Sequence, residues 1–131
     1  NKLSPGGTRI RSFHPLVIAL ASGANFIARA FSGDPNGVAA LITEAVRHPG
    51  FSFIEVLSPC VTFRPEQRGW KEVVRPAPVE ATDDPGRAAR RLMTDDGFNL
   101  GILYRGSRKP YQPPIGKTSI DLTELEKDFE L

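Results

Sequence analysis

One cysteine stands in 131 residues. A single thiol builds no disulfide framework within the chain and no metal site made from several of its own thiolates. Long apolar runs are missing as well: the longest is the six residues from Leu16 to Ala21, far below the roughly 20 that a helix needs to cross a bilayer. Charge of one sign is also lacking. Seventeen basic and 15 acidic side chains leave a net +2, too balanced for a dedicated nucleic-acid binder whose affinity comes from neutralising phosphates. The chain opens at Asn1 with no charged-then-apolar leader, as either a mature secreted protein or a segment of a longer subunit would.

What is present is enough to fold. Hydrophobic residues make up 40%, which supports a real core and excludes wholesale disorder. The length fits one domain or part of a larger one. Twelve glycines and 12 prolines put much of the chain into turns and extended connections. Charge is unevenly spread: residues 1–63 carry five basic and three acidic groups, and residues 64–131 carry 12 of each. The first part therefore reads as buried core and the second as an extension that hugs the surface.

Along the chain, Ser4-Pro5-Gly6-Gly7-Thr8 signals a loop. His14 to Ser22 suits a short buried helix stopped by Gly23. Phe26 to Phe31 reads as a strand. Asp34-Pro35 supplies an N-cap and a proline for the first helical turn. Val38, Leu41, Ile42, Ala45 and Val46 then share one helical face, closed by Pro49-Gly50. Phe51 to Leu57 is the clearest strand. Strand, helix, strand within about 30 residues is a βαβ unit, which implies a parallel pair.

Beyond Phe63 the pattern predicts a helical turn or two around Trp70, a break at Pro76-Ala77-Pro78, and a helix from Asp84-Pro85 through Met93 with Ala88, Ala89 and Leu92 inward. A third strand follows over Phe98 to Tyr104, then an extended Pro110–Pro114 and a terminal amphipathic helix over Asp121–Leu131.

Cys60 follows the central strand directly, in Ser58-Pro59-Cys60-Val61-Thr62-Phe63. Ligands gather beyond the carboxyl ends of parallel strands, yet a lone cysteine is also a good small buried hydrophobe. As a cluster ligand it would need thiolates from outside the chain. Arg29 within a strand either binds a partner's carboxylate or reaches the sheet edge. His48-Pro49 reads as a cation at a helix C-terminus, and the pairs Asp83-Asp84 and Asp95-Asp96 as caps and turns. On these residues alone, an enzyme domain and an interaction module both stand.

The segments His14-Pro15-Leu16, Ala21-Ser22-Gly23-Ala24-Asn25-Phe26-Ile27-Ala28-Arg29-Ala30-Phe31-Ser32-Gly33-Asp34 and His48-Pro49-Gly50-Phe51 through Pro59-Cys60-Val61-Thr62-Phe63 go further. They resemble the thiamine-diphosphate-binding β subunit of 2-oxoacid:ferredoxin oxidoreductases, most of all the 2-oxoglutarate type. Asn99 to Arg105 resembles the strand near that subunit's C-terminus. The likeness is dense over residues 14–63 and patchy over 64–105.

The resemblance implies an α/β fold: the C-terminal half of a parallel-sheet thiamine-diphosphate-binding domain with an extended, mostly irregular C-terminal tail. Residues 1–63 would be its βαβ core. Residues 64–131 would be an extension with short helices, one strand and a tail that contacts neighbouring subunits. Implied cofactors are thiamine diphosphate, Mg²⁺ and a [4Fe–4S] cluster. Pro59-Cys60 corresponds to the family's Pro-Cys step, making Cys60 the fourth cluster ligand. Ser4 and Thr8 lie where the family's loop nears the diphosphate, although Gly6-Gly7 departs from its usual Ser-Pro-Thr pattern. The family's Gly-Asp-Gly segment, Cys-x-x-Cys pair and activating glutamate are absent here, so they would lie upstream or on a partner.

The implied activity is cytoplasmic oxidative decarboxylation of a 2-oxoacid to its acyl-CoA, with electrons passing through the cluster to ferredoxin. Implied partners are the rest of the β subunit, the α subunit with a γ subunit as a further candidate, ferredoxin, the 2-oxoacid and coenzyme A, with neither nucleic acid nor membrane. Two other readings compete: a non-redox thiamine-dependent decarboxylase or synthase half, and a non-catalytic subunit-docking domain.

Overall fold

Every element predicted between residues 13 and 109 has a counterpart in the computed structural model, which describes those residues. The order is α1 (Pro15–Ala21), β1 (Phe26–Phe31), α2 (Pro35–Arg47), β2 (Ser52–Leu57), a 3₁₀ turn (Pro65–Gly69) running into α3 (Trp70–Val73), β3 (Arg75–Pro76), α4 (Pro85–Thr94) and β4 (Asn99–Arg105). The expectations for Ser4, Thr8, the Pro110–Pro114 stretch and the Asp121–Leu131 helix fall outside the described residues.

Local chemistry sets the boundaries. Helix α1 ends on a left-handed glycine: Gly23 has φ +92°, its N–H donates to the Leu20 carbonyl at 3.0 Å, and the Ala24 N–H donates to the Ala19 carbonyl at 2.9 Å. That pair of bonds satisfies the orphan carbonyls of a helix end, and a residue with a Cβ adopts the conformation only under strain. At the start of α2, Asp34 caps as its position predicts, accepting a hydrogen bond from the Gly37 N–H at 3.0 Å ahead of Pro35. Asp84 repeats the device for α4, accepting from the Arg87 N–H at 2.7 Å.

The four strands form one sheet in the order β2-β1-β4-β3. β1 and β2 are parallel, with Phe26 opposite Ser52 and Phe31 opposite Leu57, and α2 makes the crossover between them. β3 also lies parallel to its neighbour β4. β4 itself runs antiparallel to β1, so the α/β sheet is mixed, with two of its three neighbouring pairs parallel. The β1–β4 register shifts between Ile27 and Ala28, which face Tyr104 and Ile102 and leave Leu103 as the extra residue. Such a bulge bends the strand locally, and Gly101, at φ +110°, sits beside it.

Alternation along β1 divides the core in two. Ile27 packs with Leu16, Ala19 and Leu20 of α1, Ala88 and Leu92 of α4, and Tyr104 of β4. Phe26 and Ala28 point the other way, onto Ala45 and Leu41 of α2, with Ile54 and Ile102 beside them. Helices thus cover β1 from both sides, and this is why its apolar residues run on without a polar face. β4 comes from the charged second part of the chain, yet it supplies β1's second neighbour. No helix among the described residues is long and apolar enough to cross a membrane.

Candidate functional site at the carboxyl ends of the parallel pair

β1 and β2 end together: the Ser32 N–H donates to the Leu57 carbonyl at 2.9 Å, just past both strands. The chain then leaves β2 through Ser58 and Pro59 and turns at Val61–Phe63. Cys60 sits on this loop and is exposed. Among the described residues it is therefore not the small buried hydrophobe of one sequence reading. Its main chain is held from both sides. The Cys60 N–H donates to Oε1 of Gln67 at 2.8 Å, and its carbonyl accepts from the Arg64 N–H at 2.8 Å. Both main-chain groups of Cys60 are thus engaged, and among the described residues its sulfur has no hydrogen-bond partner. Cys60 is thus an exposed residue on a loop whose main chain is held, with exposed Val61 and Phe63 near it in sequence.

Beneath this end of the sheet lies a buried ionic group. Arg29 stands opposite Glu55 in the β1–β2 register. Its Nε donates to Glu55 Oε2 at 2.6 Å, one terminal nitrogen pairs with Asp95 and also reaches the Asn99 carbonyl at 3.3 Å. The side chains of Arg29 and Asp95 are 7% and 10% exposed. Burial pulls the Arg29 pKa down, and the hydrogen bonds and charges of Glu55 and Asp95 outweigh that pull, so the guanidinium stands above its ordinary value. Arg29 thus neither sits at a sheet edge nor waits for a partner's carboxylate. It ties β1 and β2 to the turn before β4, and the two carboxylates of this chain already occupy it.

The remaining candidates have structural roles. His48 ends α2 half-buried, its ring 5.5 Å from that of Phe26. Asp84 is a cap. Asp95 and Asp96 shape the turn into β4, accepting from the Gly97 N–H at 2.8 Å and the Phe98 N–H at 3.1 Å. Asp96 also binds Arg75 at 2.6 Å. Sequence reasoning missed Gln67 as the clamp on Cys60 and Asp95 as the partner of Arg29. A glutamine seven residues on and a carboxylate 66 residues on carry no local signal. Among the described residues, no three His, Cys, Asp or Glu side chains cluster closely enough to hold a metal ion.

In class, then, this is a layered α/β unit whose exposed thiol marks the carboxyl end of a parallel strand pair, the end at which such sheets gather ligands. Comparison with known proteins gives the relationship. The 2-oxoacid:ferredoxin oxidoreductase 2 subunit beta of Aeropyrum pernix is 28% identical over 108 residues, 71% of this chain and 35% of its own length. The 2-oxoglutarate synthase subunit KorB of Archaeoglobus fulgidus is 39% identical over 61 residues, 47% of this chain and 23% of its own. Among solved structures, a 2-oxoglutarate:ferredoxin oxidoreductase from Magnetococcus marinus, with 2-oxoglutarate, coenzyme A and succinyl-CoA bound, superposes with a TM-score of 0.75 at 26% identity. That match covers 98% of this chain and 48% of that one. No protein-family model matches the chain. The chain is similar to β subunits of 2-oxoacid:ferredoxin oxidoreductases over part of their length. It spans between about a quarter and a half of the length of these relatives.

Proposed function

We propose that this chain is the C-terminal part of the thiamine-diphosphate-binding subunit of a 2-oxoacid:ferredoxin oxidoreductase of the 2-oxoglutarate type. The whole enzyme would convert the 2-oxoacid to its acyl-CoA and pass electrons through a [4Fe–4S] cluster to ferredoxin, in the cytoplasm. The observation that carries this reading is the superposition on the Magnetococcus marinus oxidoreductase over 98% of the chain, with an exposed Cys60 immediately beyond β2.

Cys60 would be one cluster ligand of four, with the other three supplied from outside the described residues. The cluster would bring one-electron chemistry to this end of the sheet, its potential tuned by burial and by hydrogen bonds to sulfur. The chain's own contribution is positional: Gln67 and Arg64 fix the Cys60 main chain, while Arg29, Glu55 and Asp95 lock the strands that carry the loop. Thiamine diphosphate and Mg²⁺ would be held largely by other segments, with Ser4 and Thr8 near the diphosphate. In the same proposal residues 1–63 form the βαβ part of the domain core, α4 and β4 from residues 64–131 complete that core, and the tail of this extension contacts neighbouring subunits.

The test is Cys60→Ser in the assembled oxidoreductase. Iron per subunit and the electron paramagnetic resonance signal of the reduced cluster should both fall, while the circular dichroism of the protein stays unchanged. A full cluster signal in the variant overturns the assignment. An assembly with thiamine diphosphate but no iron would point to a non-redox decarboxylase or synthase, and one with neither would point to a docking domain.

A further inference from the structure

Asn25 is 4% exposed, and both its main chain and its side chain are engaged. Its backbone N–H donates to the Phe51 carbonyl at 2.7 Å, and its carbonyl accepts from the Gly106 N–H at 2.7 Å. Its side-chain Nδ2 donates to the Pro49 carbonyl at 3.1 Å and to the Arg108 carbonyl as well. Pro49 lies in the connection from α2 to β2, whereas Gly106 and Arg108 follow β4. One residue at the head of β1 therefore joins two segments that stand 24 and 83 positions away from it in sequence.

The segment after β4 fits closely against this residue. Gly106 is buried, and a Cβ there would overlap the Tyr104 hydroxyl and stand 3.0 Å from Asn25 Oδ1. Two residues on, Nη1 of Arg108 lies 3.6 Å from the place that a Cβ of Gly23 would occupy, so its side chain reaches back to the end of α1. The residue type at position 25 matters. Two carbonyls accept from one primary amide, and an ionised aspartate, the nearest match in shape, has no N–H to give. An aliphatic side chain would likewise leave both carbonyls without these donors.

This strap sets where the rest of the chain begins. Arg105 stands opposite Phe26, the first residue of β1, so Gly106–Lys109 lies at the amino end of the parallel pair. Cys60 lies past the carboxyl end of β2. We infer that Asn25 is a latch: it fixes the root of the C-terminal tail, residues 110–131, at the end of the sheet opposite Cys60, so that the tail approaches neighbouring subunits from one set position. A segment rooted in this way has less freedom to lose when it meets its partner, which favours association without any new contact. The inference rests on the proposed contact of the tail with those subunits and not on Cys60 binding iron.

The wild-type chain gives the first test. In nuclear magnetic resonance of the 131-residue chain, the Asn25 side-chain amide protons and the Gly106 amide should exchange at least 100-fold more slowly than in an unstructured reference. Exchange at the reference rate overturns the latch. Trypsin then reads the strap. In Asn25→Leu, cutting of the Arg108–Lys109 bond should speed up at least tenfold relative to cutting of the Arg68–Gly69 bond in the same sample, a ratio that cancels any general loosening of the fold. Asn25→Asp, which keeps the shape and removes the donors, should raise the ratio as well. An unchanged ratio in either variant overturns the assignment of the strap to the Asn25 amide. In the assembled oxidoreductase, Asn25→Asp should reduce recovery of complete enzyme at least tenfold, and wild-type recovery would overturn the role in assembly. Cross-linking of Lys117 to the other subunits in the wild-type assembly reads the tail contact separately. No cross-link would sink that contact, whereas a cross-link together with wild-type recovery of Asn25→Asp would sink the latch alone.

Discussion

Arg29 and Glu55 face each other across the parallel β1–β2 pair, with Arg29 Nε 2.6 Å from Glu55 Oε2. Asp95 approaches the same guanidinium from the turn before β4. One buried cation therefore joins three separate stretches of chain, and the carboxylates it joins depend on it.

Removing that cation leaves two carboxylates in a largely buried space. Arg29→Met should destabilise the chain by about 3–5 kcal/mol, the range for breaking a buried pair from one side. Urea unfolding followed by circular dichroism measures this. A loss below about 1 kcal/mol would show that Glu55 and Asp95 find water or other donors once Arg29 is gone.

Acid should weaken the fold through two exposed carboxylates. The backbone N–H of Arg87 holds the Asp84 carboxyl below its ordinary value, and the Arg75 guanidinium followed by the Phe98 N–H does the same for Asp96. A depressed native pKa stabilises the fold above the unfolded value of about 3.9, and that contribution is lost as pH falls through the still lower native value. Thermal unfolding should show melting temperature falling below about pH 4, and Asp84→Asn should flatten part of that fall. Curves of equal slope for wild type and variant between pH 5 and pH 2 would contradict the assignment.

Cys60 in the chain alone should react completely with a thiol reagent such as dithionitrobenzoate without denaturant, because it is exposed. The yield should be one thiol per chain, as the sequence has one cysteine. A thiol that reacts only after urea is added would mean that the loop folds over the sulfur.

Gly101 adopts φ +110° beside the β4 bulge. Gly101→Ala should cost on the order of 1 kcal/mol or more, since a Cβ is strained there, even though, among the described residues and apart from its chain neighbours, no atom lies within 4 Å of where it would stand. Equilibrium unfolding reads the loss. An unchanged midpoint would mean that the backbone relaxes to a negative φ at no cost.

The βαβ unit was legible because its signals are local. Asp34-Pro35 starts a helix, Pro49-Gly50 ends it, and the apolar runs on either side are short enough to be strands. The direction of β4 was not legible: Asn99–Arg105 has the composition of a strand, and composition does not encode which way a strand lies against its neighbour. β3 is two residues long and ends in proline, too short for any periodicity. Cys60 could be singled out from its place after β2, whereas its exposure depends on the turn at Val61–Phe63 and on Gln67. Arg29 stood out as a charge within an apolar run, but Glu55 and Asp95 become its partners only once the sheet and the turn before β4 have formed.

The position of β4 bears on synthesis. β1 and β2 leave the ribosome before β4, and β1 gains its second neighbour only when Asn99–Arg105 has emerged. At roughly 5–20 residues per second, that delay is on the order of seconds. During it β1 lacks that neighbour, and its unpaired main-chain groups are open to pairing with the wrong segment.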